Sequence, residues 1–126
     1  MVGYPVGDFL IRFKNAARAN LREVTTPETK LVKELAGVLK AEGYAEKVET
    51  KDGEVKVILK FHKKEPLLIN LKLVSKPGLR IYMKLDDLKK RKPGASILIL
   101  STPLGLLSSK KAVKRGVGGE VIAEVW

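Results

Sequence analysis

Two short segments carry side chains suited to hydrogen bonding with a partner at close range. The first is Leu100-Ser101-Thr102-Pro103-Leu104-Gly105, where two hydroxyls follow an apolar run. Small hydroxyls at a strand end can bond phosphate, ribose or base edges. The second is Arg115-Gly116-Val117-Gly118-Gly119-Glu120. Its glycines allow positive φ and the close approach of another backbone. Glu120 can accept hydrogen bonds from a base amino group. An acid in basic surroundings repels phosphate, so it serves either a specific contact or a structural bracket. On the residues alone, a turn that caps a helix also accounts for this second segment.

Catalytic patterns are missing. The chain has no Cys, which excludes disulfides, thiolate chemistry and Cys-ligated zinc. Its one histidine, His62, lies in a charged loop and reads as a surface residue. Gly118-Gly119 belongs to no Walker or dinucleotide motif, and no Ser sits in a G-x-S-x-G context. Asp86-Asp87 reads as a solvated turn, because adjacent acids point apart on most backbones. No cofactor, metal or small-molecule substrate is expected, and the role is binding rather than catalysis.

Charge names the kind of partner. In 126 residues there are 25 Lys+Arg against 14 Asp+Glu, a formal charge of +11. A sequence pI near 9.9 calls for a polyanion, nucleic acid first and an anionic membrane surface second. A merely soluble basic protein is the plainest alternative. Residues 1–74 hold 14 basic and 10 acidic groups, residues 75–126 hold 11 and 4. No basic block is longer than Lys89-Lys90-Arg91-Lys92, so these charges belong to a folded surface. At 44% hydrophobic the chain has the composition of a folded protein. The start, Met1-Val2-Gly3-Tyr4-Pro5, lacks a signal-peptide pattern, and the apolar runs are too short to span a bilayer. A soluble, cytoplasmic protein is expected.

The elements that must position these segments follow from spacing. Val6, Phe9, Leu10, Phe13 and Ala17 share one face of a helix over 5–19. Asp8, Arg12, Asn15, Arg18 and Arg22 fall on the other side, with Lys14 at the margin; an ordinary solvated face accounts for them as well as phosphate contacts do. Leu21 to Val24 suits a short strand. Thr25 or Thr26 can cap a second helix, with Pro27 and Glu28 in its first turn, a core stripe of Leu31, Leu35, Val38 and Leu39, and a stop at Gly43. A hairpin turns at Lys51-Asp52-Gly53 between Ala45–Thr50 and the alternating Val55, Val57, Leu59 and Phe61. His62 to Pro66 breaks this pattern and reads as a linker or turn. Alternation then places strands at Leu67–Leu73 and Arg80–Lys84, separated by the Lys76-Pro77-Gly78 turn. A helical turn follows at Asp86–Lys90, then a buried strand at Ile97–Leu100. Ser108 caps a short helix to Arg115, Gly116 ends it, and Glu120–Val125 is the last strand.

Three separate stretches resemble one known family in order and spacing. They are Ser75-Lys76-Pro77-Gly78-Leu79-Arg80-Ile81-Tyr82, Ile99-Leu100-Ser101-Thr102, and Gly116-Val117-Gly118-Gly119-Glu120-Val121-Ile122 up to Val125-Trp126. Gly7-Asp8-Phe9-Leu10-Ile11-Arg12-Phe13-Lys14-Asn15-Ala16 resembles that family's first helix. The chain is thereby similar to the bacterial small-subunit ribosomal protein eight family over nearly its whole length.

The resemblance implies an α+β fold of two small packed subdomains. The first, 1–62, is α-β-α-β-β; the second, 63–126, is β-rich with a short helix and binds RNA. It implies binding to the central domain of small-subunit ribosomal RNA early in subunit assembly, beside neighbouring small-subunit proteins. Some members also repress translation by binding their own messenger RNA. The residues implied in RNA contacts are Ser101, Thr102, Gly105, Gly118, Gly119 and Glu120, with Tyr82 nearby. The first helix and the turn before the second add Arg12, Lys14, Asn15, Thr29 and Lys30.

The chain departs from the family's pattern at four places. Tyr4 replaces an acid. Pro103 replaces a third hydroxyl, which removes that hydroxyl and one backbone donor. The glycine-rich lead into the buried strand is Pro93-Gly94-Ala95-Ser96. The usual Thr-Asp opening of the short helix is Ser108-Ser109, followed by Lys110 and Lys111, which oppose the helix dipole. A basic adaptor docking acidic proteins, without RNA specificity, is the rival reading. An enzyme acting on phosphorylated substrates would need a base or metal cluster that the sequence lacks.

Overall fold

Helix α1 spans Pro5–Arg18, and its apolar stripe is buried as the spacing predicts: Val6, Phe9, Leu10, Phe13 and Ala17, with Ala16 and Gly7 beside them. The computed structural model describes residues 5–92, 94 and 96–126. The departures at Tyr4, Pro93 and Ala95 lie outside these. The chain divides into two compact units, Met1–Asn70 and Leu71–Trp126.

In the first unit three antiparallel strands run in the order β1-β3-β2, with β1 at Glu23–Pro27, β2 at Ala45–Lys51 and β3 at Glu54–Leu59. The central strand buries Val55, Val57 and Leu59 on one face. Asp52 and Gly53, with φ of 52° and 78°, form the two-residue turn between β2 and β3, where a right-handed twist favours positive φ at both positions.

Helix α2 covers Lys30–Ala41 and corrects the expected start. Thr25, Thr26 and Pro27 complete β1 opposite Lys56, Val55 and Glu54. β-branched residues with a strand beside them pair rather than cap. Thr29 caps instead, its side chain accepting from the Val32 amide at 3.1 Å. The core stripe is therefore Val32, Leu35, Ala36 and Leu39, and Leu31 is exposed. At the far end Gly43 takes φ 89°, its amide reaches the Lys40 carbonyl and the Tyr44 amide reaches that of Leu39. This double closure satisfies the last carbonyls of α2.

The 62–66 segment is a small hairpin, β4 (Phe61–His62) with β5 (Glu65–Pro66), turning at Lys63 with φ 60°. The Leu67 amide returns to the Lys60 carbonyl at 2.9 Å. The first unit thus continues past residue 62. The expected long strand shortens to β6, Leu71–Leu73. Its neighbour β10 (Gly119–Val125) stops opposite Leu71, so earlier residues have no strand beside them. Ile69 is accordingly 75% exposed, while Leu68, off the expected stripe, is buried.

In the second unit the sheet runs β6-β10-β8-β9, with β7 (Tyr82–Met83) also on β10. Strand β8 is Ile97–Thr102, and it pairs with β9, Gly105–Ser108, a strand that the spacing does not predict. Of the strand expected at Arg80–Lys84 only Tyr82 and Met83 enter the ladder. Helices α3 (Leu85–Lys89) and α4 (Ser109–Arg115) cover one face, Leu88 and Ala112 packing with Leu98, Leu100 and Val121. Ser108 caps α4 through the Lys111 amide, and Gly116 ends it in the left-handed region at φ 73°. The Ser109 hydroxyl, accepting from the Leu98 amide at 3.1 Å, ties α4 to β8. Both units are α+β with antiparallel pairing, and among the described residues no helix is long and apolar enough to cross a membrane.

Candidate nucleic-acid interface

Strand β10 brings the expected contact residues into a row. Glu120 pairs with Tyr82 on one side and Ser101 on the other. Next along the ladder, Val121 faces Leu100, and both point into the core under α3 and α4. Side chains alternate along a strand, so Tyr82, Glu120 and Ser101 project to the opposite face. The row spans two strand spacings, roughly 10 Å. Its members differ in access: Tyr82 is 68% exposed, whereas the Glu120 side chain is 14% exposed. Arg80 Nη1 donates to Glu120 Oε2 at 3.0 Å. The carboxylate is thus held by a cation and aimed, rather than left to repel phosphate.

The glycines divide the two expected roles, positive φ and close backbone approach, between them. Among the glycines of the Arg115–Glu120 segment, Gly116 takes the positive φ, not Gly118 or Gly119. Those two are needed for space. A Cβ on Gly119 would strike the Ser101 carbonyl oxygen and lie 3.0 Å from its carbon. A Cβ on Gly118 would strike the Met83 carbonyl oxygen and lie 2.9 Å from the Leu85 amide nitrogen. The backbone that comes close is therefore this chain's own, and the glycines set the row's geometry.

Thr102 and Gly105 also shape the site from within. The Thr102 hydroxyl donates to the Gly105 carbonyl at 2.8 Å and accepts from the Leu104 amide at 3.1 Å. It closes the β8–β9 turn and holds out Pro103 and Leu104, the latter 56% exposed. Ser101 has no such internal bond among the described residues.

Sequence reasoning missed Ser75. It is fully buried, and its hydroxyl accepts from the Ile81 amide at 2.9 Å and donates to the Ile81 carbonyl at 3.3 Å. That same carbonyl accepts from the Val121 amide at 2.8 Å. Ser75 therefore fixes the residue between Arg80 and Tyr82. Its signal was a serine placed directly before the Lys76-Pro77-Gly78 turn. Arg91 likewise ties the lead into β8, donating to the Ser96 carbonyl at 2.7 Å, while the Ser96 hydroxyl bonds the Glu124 carboxylate.

In the first unit, Arg12 and Thr29 line one cavity of about 610 Å³ with Asp8, Phe9, Thr26 and Val32. Arg12 Nη2 donates to the Thr25 carbonyl at 2.6 Å, which fixes the guanidinium beside the cap of α2. Lys30 is exposed at the first position of α2, Asn15 is exposed one turn beyond Arg12, and Lys14 is half-buried. The residues expected in contacts therefore form two sets, one in each unit. Among the described residues no group of His, Asp and Glu could hold a metal ion. Asp86 and Asp87 occupy the first turn of α3, where Asp87 accepts from the Lys84 amide at 3.3 Å.

The family model described as Ribosomal protein S8 matches residues 4–126. A relative from Nitratidesulfovibrio vulgaris (strain Miyazaki F), named small ribosomal subunit protein uS8, is 43% identical over 126 residues, 100% of both chains. Proteins of the same name from Streptococcus gordonii and Streptococcus pyogenes serotype M5 are 46% and 44% identical, covering 97% of this chain and 96% of theirs. Matched by that family model over residues 4–126 and by these relatives over 97–100% of its length, the chain belongs to the ribosomal protein S8 family, which is structural rather than enzymatic.

Proposed function

We propose that this chain is a structural constituent of the small ribosomal subunit that binds the central domain of its RNA directly, early in assembly. The observation that carries the reading is the Tyr82–Glu120–Ser101 row, with its acid clamped by Arg80 inside a unit rich in basic groups. Lys and Arg supply salt-dependent attraction to phosphates. A-form grooves are hard to read, so the row suits a non-helical feature, where an unstacked base can lie on Tyr82 and present its edge to Glu120 and Ser101. Arg12, Lys14, Asn15, Thr29 and Lys30 add backbone contacts from the first unit. Thr102, Gly105, Gly118 and Gly119 serve by holding the row and turn in shape. The protein works in the cytoplasm beside other small-subunit proteins. A stem of the same shape in its own messenger RNA would be bound by the same row, giving translational repression.

The test is a titration with a stem from the central domain of small-subunit ribosomal RNA, beside a regular duplex of equal length, at two salt concentrations. A preference for the stem that survives higher salt supports the reading. Equal affinities that collapse together with salt overturn it and favour a basic adaptor.

A further inference from the structure

The helical side of the second unit carries charges that the row does not use. Lys89 and Lys90 at the end of α3, and Lys110, Lys111, Lys114 and Arg115 on α4, are all exposed. Among the described residues none of the six forms a salt bridge. Lys89, Lys114 and Arg115 suit the negative ends of their helices. Lys110 and Lys111 do not. They sit in the first turn of α4, where the dipole is positive and no acid is present, and Lys111 holds the position a capping-box Glu would take. This placement weakens α4, and among the described residues no ion pair compensates it.

The face is also separate from the row. Leu88 of α3 and Ala112 of α4 pack on Leu100 and Val121, and Ser101 and Glu120 alternate away from them. A partner seated on the row therefore leaves the helical face open. We infer that the α3–α4 face is a second, sequence-blind contact for the phosphate backbone of a double-helical RNA segment, distinct from the stem that the row reads. The occupant follows from charge: six exposed cations on α3 and α4, against the two exposed acids Asp86 and Asp87 of α3, leave a net positive face that matches a backbone, not base edges. The inference rests on the proposed RNA-binding reading and extends it, making the second unit a bridge between two RNA segments.

The experiment uses the full chain saturated with the central-domain stem, to which a labelled regular RNA duplex is added. The wild-type complex captures the duplex without releasing the stem. The double variant Lys110→Gln/Lys111→Glu lowers duplex affinity by about tenfold or more, moves stem affinity less than about threefold, and raises Tm by a few degrees. A control of equal charge change in the β4–β5 hairpin, Lys63→Gln/Lys64→Glu, lowers duplex affinity less than about threefold. Equal losses in the two variants mean that net charge alone is at work and overturn the inference. Displacement of the duplex by the stem means one site, and overturns it too. Capture of poly-glutamate but not duplex reassigns the face to an acidic protein. Loss of stem preference over duplex defeats the row reading instead, and the two double variants on duplex alone still decide the helical face.

Discussion

Glu120 and Ser101 face each other across the β8–β10 ladder, and Gly119, the residue before Glu120, lies against the Ser101 carbonyl. The hydroxyl and the carboxylate are thus set by one backbone contact that tolerates no side chain. Arg80 completes the arrangement from the next strand's approach, bonding Glu120 at 3.0 Å.

Gly119→Ala tests that contact directly. A methyl group there collides with backbone, which cannot swing aside as a flexible side chain could. Overpacking of this kind costs about 1–3 kcal/mol. Urea unfolding should show a lower midpoint with an unchanged slope, and stem affinity should fall because β8 and β10 are pushed apart. An unchanged midpoint would show that β10 shifts freely, and the row would lose its fixed geometry.

The two hydroxyls separate by role. Thr102→Ala removes a donor and acceptor inside the β8–β9 turn and should cost about 1 kcal/mol of stability. Ser101→Ala should leave stability nearly unchanged and weaken binding to the cognate stem by about 1–2 kcal/mol. Thermal unfolding and binding at matched salt, measured on both variants, check the split. Equal stability losses, or unchanged affinity in Ser101→Ala, would assign the contact elsewhere.

What could be read from the sequence was whatever local pattern decides. The α1 stripe, the Asp52-Gly53 turn and the Ser108–Gly116 limits of α4 each follow from a few neighbouring residues, and all appear where expected. Where tertiary pairing decides, local signals misled. Thr25 and Thr26 look like caps until Lys56 and Val55 are seen beside them. Leu67 and Ile69 look like strand until β10 is seen to stop opposite Leu71. The segments of the site were legible, but their division of labour was not. Thr102 and Ser101 are equivalent in sequence, and only the turn closed by Gly105 tells them apart. The position of Ser75 before a turn was a signal, but its role was hidden for the same reason, since its partner Ile81 lies across that turn.

Glu120→Lys separates specific recognition from charge. The change adds positive charge, which on electrostatics alone tightens binding to any RNA. It also replaces an acceptor by a donor and sets a cation against Arg80. Affinity for a regular duplex should stay level or rise, while preference for the stem falls by about tenfold. Tighter stem binding than wild type in a filter assay would remove Glu120 from the recognition row.

Tyr82 is the row's exposed end, and at 68% accessible it has little to lose on truncation. Tyr82→Ala should therefore change the unfolding midpoint little, apart from the small strand preference of an aromatic over Ala. Base stacking on an aromatic ring is worth about 1–3 kcal/mol, so stem affinity should fall by that amount and recover in Tyr82→Phe. Recovery in Phe assigns the effect to the ring face and not to the hydroxyl. If Tyr82→Phe were as weak as Tyr82→Ala, the phenol oxygen would be the contact, and the row would read its partner by three hydrogen-bonding groups instead of two and a stacking platform.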